Sequence, residues 1–378
     1  MKRCAICFLS VFLSLFFSCT QKSSTNQNEI VIGEVGSMTG SEATFGVATH
    51  RGIELAVSQI NAKGGIKGKT LRVISLDDQG KPDEAATATM RLITQNKVIA
   101  ILGEVASSRS IAMAPIAQTH KVPMISPSST NPKVTEIGSH IFRVCFIDPF
   151  QGSVMAQFAK DSLKLDKVAI LRDVRNDYSV GLADYFTKTF TAKKGKIVLD
   201  QSYSAGDIDF KSQLTAIRAQ KPQAIFVPGY YTEVGLIARQ AKELGIKVPL
   251  LGGDGWDSPK LTEIAGSAIH GSYFSNHYST EDQALHVQAF IKDFKDAYGV
   301  TPDGLAALGY DAAKVLAAAL ERASELNSEE ITRAIAQTSN FQGVTGNITI
   351  DANRNTVKSA VVLKVAATGF KYLETIRP

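Results

Sequence analysis

The sequence predicts an α/β protein with two lobes, each built on a parallel central sheet. Apolar strand segments alternate with helical segments from residue 29 onward, which is typical of a parallel sheet covered by helices on both faces. The alternation falls into two consecutive series of similar length. The chain has 378 residues, of which 44% are hydrophobic and 20% charged, so it is long enough to form two domains of ordinary size.

The first series contains strand and helix segments in strict alternation. The strand EIVIGEVG precedes VATHRGIELAVSQINAKGG, in which apolar residues recur at helical spacing before a glycine pair suited to a C-cap. The strand TLRVISLDD follows. A helix near residues 82–96, the strand VIAIL, a helix near 108–119 and the strand VPMI complete the series.

The second series starts with a helix near residue 150. Its strands are KVAILRD, KIVLDQSY, AIFVPG and VPLLGG, and the helices between them are GLADYFTKTF, FKSQLTAIRAQ and EVGLIARQAKELG. Two long helical stretches follow, ALHVQAFIKDFKDAYG and LAALGYDAAKVLAAALERA. The strand segments GNITID, SAVVLKV and FKYLETI end the chain.

The N-terminus is predicted to be a signal peptide over residues 1–18. A short basic start leads into an uncharged apolar run from Cys4 to Ser18, which is too short to cross a bilayer core of about 30 Å as a helix. The run resembles a bacterial lipoprotein signal, although Phe16 and Phe17 depart from its usual pattern. Lipidation of Cys19 is therefore expected, with 19–28 as a tether and the membrane contacted through the lipid only. The alternative is ordinary cleavage near Ser18. Either way the protein is expected to be exported, to the periplasm.

Composition excludes several classes of function. Lysine and arginine exceed aspartate and glutamate by 5, and the excess falls to 3 once Lys2 and Arg3 leave with the leader. The basic residues are scattered, so no nucleic-acid partner is expected. Cys145 is the one cysteine outside the leader and the anchor position, so no internal disulfide is expected. The histidines form no metal-binding motif.

No motif supports an enzyme or a cofactor. The stretch GGIKGKT encloses three residues between its glycines, whereas a phosphate-binding loop needs four, and it precedes a strand rather than a helix. The spacing in GEVGSMTG does not fit a dinucleotide fingerprint, and there is no GxSxG nucleophile elbow. We therefore predict no catalytic residues, no cofactor and no metal.

Polar residues cluster just after strands, where open α/β sheets bind their ligands. Ser107 follows the strand VIAIL at the start of a helix, whose N-terminus favours an anion. Ser128, Ser129 and Thr130 follow the neighbouring strand. These two strand ends are suited to hold one carboxylate between them. The alternative for Ser107 is a helix cap without ligand contact.

The second lobe presents complementary residues at the same points. FVPGYYTE offers Tyr230, and LLGGDGWDSP offers Asp254 and Trp256. A carboxylate opposite a cluster of hydroxyls and amides matches a zwitterion. The alternatives are packing roles for Tyr230 and Trp256 and a turn role for Asp254.

The sequence resembles the leucine/isoleucine/valine-binding type of periplasmic binding protein, which serves an ABC importer. The stretches that carry the resemblance are GEVGSMTGSEATFG, INAKGGIKG, LDDQGKP, ILGEVASS, ISPSSTNP, PGYYTEVG and GGDGW. It implies the type I fold of these proteins, with two Rossmann-like lobes joined by three crossovers that close on the ligand like a hinged trap. The implied N-terminal lobe is 29–148 plus 277–355, and the C-terminal lobe is 149–276 plus 356–378. A monomer that delivers an amino acid to the permease is expected.

The resemblance also implies a role for each site residue. Ser107, Ser129 and Thr130 would bind the α-carboxylate, with Ser128 contributing its backbone, Tyr230 and Asp254 would bind the α-amino group, and Phe45, Tyr178 and Trp256 would line the side-chain pocket.

Three departures from the family pattern leave the ligand open. Asp254 stands where the best-known members have Glu, Phe45 stands where they have Tyr, and Gly80 with Ala106 stand where some have a cysteine pair. The first two alter the size and polarity of the pocket. The expected ligand is a branched-chain or other aliphatic amino acid. The alternatives are a sensor of the same fold for amides or urea, and an exported α/β enzyme.

We expect Cys19→Ala to release the protein from membranes, because the lipid on Cys19 is the predicted anchor. In detergent phase separation, the wild-type protein should enter the detergent phase and Cys19→Ala should remain in the aqueous phase. Wild-type protein recovered from the aqueous phase would contradict lipidation.

Overall fold

The computed structural model describes residues 28–378. The predicted signal peptide, Cys19 and residues 20–27 of the tether lie outside the described residues. The described chain forms two α/β lobes, each with its own central sheet, which confirms the predicted fold class.

The first lobe begins with strands and helices in alternation. In chain order they are β1 (Glu29–Gly36), α1 (Ala43–Ala62), β2 (Thr70–Asp77), α2 (Pro82–Thr94), β3 (Ile101–Leu102), α3 (Ser107–Thr119), β4 (Met124–Ser126), α4 (Lys133–Glu136) and β5 (Ile141–Arg143). The strand order is β2-β1-β3-β4-β5, and every neighbouring pair is parallel. The carboxyl ends of these strands therefore meet at one edge, which faces the second lobe.

The second lobe follows the same plan. Its elements are α5 (Asp148–Gln157), continued by a π-helical turn (Phe158–Ser162), β6 (Lys167–Asp173), α6 (Asp177–Ala192), β7 (Lys196–Tyr203), α7 (Lys211–Ala219), β8 (Ala224–Phe226), α8 (Tyr231–Glu243), β9 (Leu250–Gly252), a 3-10 turn (Asp254–Trp256), α9 (Pro259–Ala265), a second 3-10 turn (Gly266–Ile269) and β10 (Tyr273–Asn276). The strands β10, β9, β8, β6 and β7 lie side by side and parallel.

The chain then returns to the first lobe before it ends in the second. Helices α10 (Leu285–Tyr298), α11 (Gly304–Arg322) and α12 (Ser328–Ala336) and the hairpin β11 (Phe341–Gly343) and β12 (Gly346–Ile348) belong to the first lobe, and β13 (Ala360–Ala366) and β14 (Gly369–Ile376) extend the second sheet. Strand β13 runs antiparallel to both β10 and β14. The two-residue link between β13 and β14 permits only an antiparallel pair, so this sheet is mixed at one edge.

Helices α1 and α11 cross at two glycines. A Cβ atom on Gly52 would lie 2.0 Å from the carbonyl oxygen of Ala306, and one on Gly309 would lie 2.4 Å from that of Thr49. The helix backbones are therefore in direct contact at this crossing. The close approach fixes the N-terminal ends of both helices beside the second lobe.

Three connections join the lobes, at residues 144–147, 277–284 and 349–359. The predicted lobe boundaries follow residues 148, 276 and 355, and the extent of each lobe stays a prediction.

Three further findings concern residues 28–378. No helix in this part of the chain is both long and apolar enough to span a membrane. Within the same residues, no three His, Cys, Asp or Glu side chains are grouped so as to hold a metal ion. Cys145 is a free, buried thiol, and its burial raises its pKa to about 12.

Candidate ligand-binding site

A small cavity of about 20 Å³ lies between the lobes at the carboxyl edges of both sheets. Its lining combines apolar, hydroxyl and carboxylate groups, from Phe45, Val105, Ala106, Ser107, Ser128, Thr130 and Leu305 in the first lobe and Tyr178, Tyr230, Asp254 and Gly255 in the second. Most of the residues predicted for the site therefore line one cavity. Ser129 and Trp256 are predicted site residues that do not line it.

Hydrogen bonds across the cleft hold the lobes in contact around the cavity. Ser108 Oγ donates to the Asp177 carboxylate at 3.0 Å and accepts from the Asp177 backbone N–H at 3.0 Å. The hydroxyls of Thr44 and Ser258 lie 2.9 Å apart. This is a closed arrangement, because these bonds join residues of opposite lobes.

The hydroxyls after β4 divide between structural bonds and the cavity. Ser126 and Ser129 donate to the carbonyl of Glu104 at 2.7 and 2.9 Å, and Ser128 Oγ donates to that of Val105 at 3.1 Å. Thr130 Oγ1 is buried and has no hydrogen-bond partner in the described chain. Thr130 is therefore the residue of this loop whose hydroxyl is available to a ligand. The expectation for Ser129 is corrected, because its hydroxyl is directed to the loop after β3.

Ser107 lies at the first position of α3. The helix has no side-chain cap, so the alternative that Ser107 acts only as a cap does not apply. Ser107 Oγ accepts from the backbone N–H of Asn131 at 3.2 Å, which leaves its proton free to donate. The first-turn N–H groups of a helix have no intrahelical acceptor and favour an anion. This end of the cavity is therefore suited to a carboxylate.

Aromatic rings from both lobes form one wall. Tyr178 and Tyr230 are stacked with ring centroids 5.4 Å apart, and Phe45 meets the Tyr230 ring edge-on at 5.3 Å. Tyr178 is also fixed through its hydroxyl, which accepts from the Gly255 N–H at 3.2 Å. The wall is apolar, and it is completed only when the lobes meet.

Asp254 begins the 3-10 turn after β9 and is 6% exposed. Its Oδ1 accepts from Gln151 Nε2 at 2.7 Å, and its Oδ2 lies 3.0 Å from His277 Nε2. Burial lowers the pKa of His277, so this imidazole is neutral and donates its Nε2 proton to the carboxylate. Among residues 28–378, the negative charge of Asp254 is therefore not cancelled by a cation. Each carboxylate oxygen also keeps a second lone pair.

Trp256 lies beneath the site rather than in it. Its Nε1 donates to the carbonyl of Val227 at 3.0 Å, and its ring covers Gly252, where a Cβ atom would lie 2.1 Å from the indole. This corrects the expectation that Trp256 lines the side-chain pocket. Its role in the structure is to support the turn that carries Asp254.

Sequence reasoning missed several residues at or around the cavity. His277 comes directly after β10, so the strand-end rule that identified Asp254 applies to it equally. Gln151 lies within α5 and Leu305 within α11, and neither position has a sequence signal. Their proximity to the cavity arises from the packing of the lobes.

The architecture and a comparison with a protein-family model identify the kind of protein. The two lobes, with a cavity of hydroxyl, carboxylate and aromatic groups between their strand ends, define a two-domain solute-binding protein. A model of the periplasmic binding protein family matches residues 29–369, and the chain belongs to this family.

Individual relatives and solved structures agree with this assignment. The leucine-, isoleucine-, valine-, threonine-, and alanine-binding protein of Pseudomonas aeruginosa is 30% identical over 352 residues, which are 93% of this chain and 92% of that protein. The crystal structure of a leucine binding protein, LivK, from Thermotoga maritima has a TM-score of 0.89 and 41% identity, and the match covers 92% of this chain and 99% of that one. The substrate binding protein LivJ of Streptococcus pneumoniae, in complex with isoleucine, has a TM-score of 0.88 and 36% identity, covering 93% and 100%.

Asp148 is a buried carboxyl group beside the cavity. Neither of its oxygens has a hydrogen-bond partner by geometry within the described residues, although the Thr130 hydroxyl lies close enough to lower its pKa. Burial, together with the charge of Asp254, raises the pKa of Asp148 from 3.8 to about 8. The folded protein therefore holds a proton here at neutral pH that the unfolded chain releases.

We expect Asp148→Asn to stabilise the protein, and to do so more as pH rises from 4 to 8. In that range Asp148 loses its proton in the unfolded chain but keeps it in the folded protein. The free energy of unfolding of the wild type therefore falls as pH rises. At pH 7 this penalty is up to about 4 kcal/mol, and the neutral amide removes it. Thermal unfolding at several pH values measures the gain. A gain that does not depend on pH, or a loss at pH 8, would contradict this account of Asp148. The exposed Asp209, changed to Asn, is the control.

Proposed function

We propose that this protein is the extracytoplasmic solute-binding component of an ABC importer, and that it holds a branched-chain or other aliphatic amino acid between its lobes for delivery to a permease. The observation that carries the proposal is the polarity of the cavity. Unsatisfied donors lie at one end, an uncompensated carboxylate lies at the other, and an aromatic wall lies between them.

The donor end suits the α-carboxylate of an amino acid. Thr130 Oγ1 and the Ser107 hydroxyl are both buried, and the N-terminus of α3 adds its free N–H groups and its positive dipole end. Burying a donor without a partner costs about 1 to 3 kcal/mol. A bound carboxylate accepts from these donors and removes that cost, whereas an apolar ligand group would leave them without a partner. These donors therefore favour an anionic ligand group.

The acceptor end suits the α-ammonium group. An ammonium ion in a cleft closed to water needs a negative partner, or it loses several kcal/mol of solvation. Asp254 provides that charge because His277 is neutral. Asp254 is shorter by one methylene than the glutamate expected from the family pattern, and the bonds from Gln151 and His277 fix its position.

The side-chain part of the cavity suits an aliphatic group. Phe45, Tyr178 and Leu305 supply apolar surface, and Asp254 is the one charged residue among those that line the cavity. The named ligands of the relatives, leucine and isoleucine among them, agree with this chemistry.

Further features of the proposal come from the sequence and the family. A periplasmic binding protein acts outside the cytoplasm, which agrees with the export signal predicted at residues 1–18. We propose that Cys19 is the lipid anchor, that the protein is a monomer and that it has no catalytic activity. Solute-binding relatives support the last point.

A thermal-shift screen tests the proposal. A ligand at about 100 times its dissociation constant stabilises the native state by roughly 2.7 kcal/mol, which for lobes of this size is a shift of several degrees. Leucine, isoleucine or valine should raise the melting temperature, and the screen should include the other amino acids, urea and short amides. A shift with urea or amides alone would replace the importer proposal by the amide sensor, and no shift with any amino acid would refute it.

Asp254→Asn should weaken amino-acid binding by about 2 to 5 kcal/mol, or roughly thirtyfold and more, because it removes the charge that faces the ammonium group. The fold should tolerate it, since the neutral His277 can accept from the new amide after a change of tautomer. Thr130→Val should cost less, about 1 to 3 kcal/mol, because the other donors remain.

Calorimetry on both variants measures these losses, with Asp209→Asn as a control that removes an exposed charge far from the cavity. A ligand analogue without the amino group should bind poorly to the wild type. Equal binding of that analogue, or unchanged binding by Asp254→Asn, would show that Asp254 does not hold the ammonium group.

A further inference from the structure

A second and larger groove, of about 670 Å³, lies between the lobes away from the cavity. Helix α1 and the connection from α10 to α11 form one side, and α9 with the β13–β14 turn forms the other. The connection that follows β10 forms its base. An occupant of this groove would contact both lobes.

The walls of the groove are largely apolar. Val47, Phe294, Val300 and Phe370 contribute to them. A volume of several hundred Å³ with apolar walls and a few fixed polar groups is typical of small-molecule sites. The polar groups therefore decide which ligand fits.

Two neighbouring carboxyl groups line this groove in addition to Glu281. Asp257 is 4% exposed, and its Oδ2 accepts from Asn276 Nδ2 at 2.7 Å and from the Gly304 N–H at 2.6 Å. Asp257 Oδ1 has no hydrogen-bond partner in the part of the chain that the structure describes. Asp303 is the N-cap of α11 and accepts from the Ala306 N–H at 2.9 Å.

The helix dipole is the main positive partner of these two carboxyl groups. Asp257 and Asp303 both lie at the N-terminus of α11, whose dipole offers about half a positive charge. Neither carboxyl forms an ion pair within residues 28–378. Burial, with the charge of Asp254, raises the pKa of Asp257 to about 6, and burial with the charge of Asp257 raises that of Asp303 to about 8. The two groups therefore carry about one negative charge between them near neutral pH.

The basic residues that line the groove are engaged elsewhere. Arg51 lies over the Tyr298 ring, 5.5 Å from its centroid, and Lys371 pairs with Glu281 at 2.9 Å. No basic side chain of the described residues is therefore placed to cancel the two carboxylates.

We propose that this groove is a second binding site, for a small primary ammonium ion that carries an apolar group. The ammonium group binds Asp257 Oδ1 and Asp303, and the apolar group contacts the walls. A metal ion fits less well, because no third acidic, histidine or cysteine ligand joins the pair in the described chain and apolar walls do not bind a hydrated ion.

Saturation-transfer NMR on the full chain with benzylammonium tests the site, with benzyl alcohol as the neutral probe of matching shape. We expect saturable binding of benzylammonium and none of the alcohol in the same concentration range. Asp303→Asn keeps the helix cap, since Asn is as good an N-cap as Asp, and removes the carboxyl group that a bound ammonium ion would hold in its charged form. It should weaken binding by roughly two- to fivefold, the value of one partly exposed charge pair.

Two further variants assign the signal to the groove. Glu329→Gln, at an exposed position in the first turn of α12, removes the same charge elsewhere and should leave binding unchanged. Asp254→Asn, in the cavity, should affect binding less than Asp303→Asn does. Binding that is lost with Asp254→Asn but kept with Asp303→Asn belongs to the cavity and overturns the proposal, as does equal binding of the alcohol or no saturable binding of benzylammonium.

Discussion

The hydrogen bonds of Glu104 are the interaction on which the site depends. Its carbonyl oxygen accepts from the hydroxyls of Ser110, Ser126 and Ser129, and its carboxylate binds Arg109 Nε at 2.9 Å. All of these groups are buried, so each would cost free energy without its partner. Because the bonds join the loops after β3 and β4, they fix the start of α3 and the position of Thr130 together. The donor end of the cavity is therefore preorganised by groups that do not touch it.

This arrangement explains how far the sequence predicts the site. The strand-end rule identifies the loop with Ser128, Ser129 and Thr130, because it depends only on where strands stop. It does not say which hydroxyl is free, because Ser129 and Thr130 differ only in which neighbouring carbonyl lies within reach. That depends on the pairing of β3 with β4. The same reason applies to Trp256. Its indole N–H donates to the carbonyl of Val227, which directly follows the neighbouring strand β8, and the ring does not line the cavity.

The fold is predictable to a similar degree. The alternation of segments gives the order of strands and helices and the parallel sheets, because periodicity and strand composition are local properties. The antiparallel edge formed by β13 is not predictable in this way, since its direction follows from its return from the first lobe. Helix α1 also begins earlier than the sequence predicts, at Ala43 rather than at the start of the segment VATHRGIELAVSQINAKGG. The reason is that Phe45 is buried against Tyr230 and Tyr231 of the other lobe. In each case a contact distant in sequence decides the outcome.

The turn after β9 connects the two acidic features of the interface. Asp254 and Asp257 lie at its two ends, and the Asp257 N–H donates to the Asp254 carbonyl at 3.0 Å. Asp254 faces the cavity, whereas Asp257 binds the first N–H of α11 in the opposite lobe, and the next residue of α11, Leu305, lines the cavity. A movement of α11 relative to this turn therefore changes the cavity wall and the Asp257 contact at once. If both regions bind ligands, their binding free energies are coupled through this turn, and the coupling must be equal in both directions.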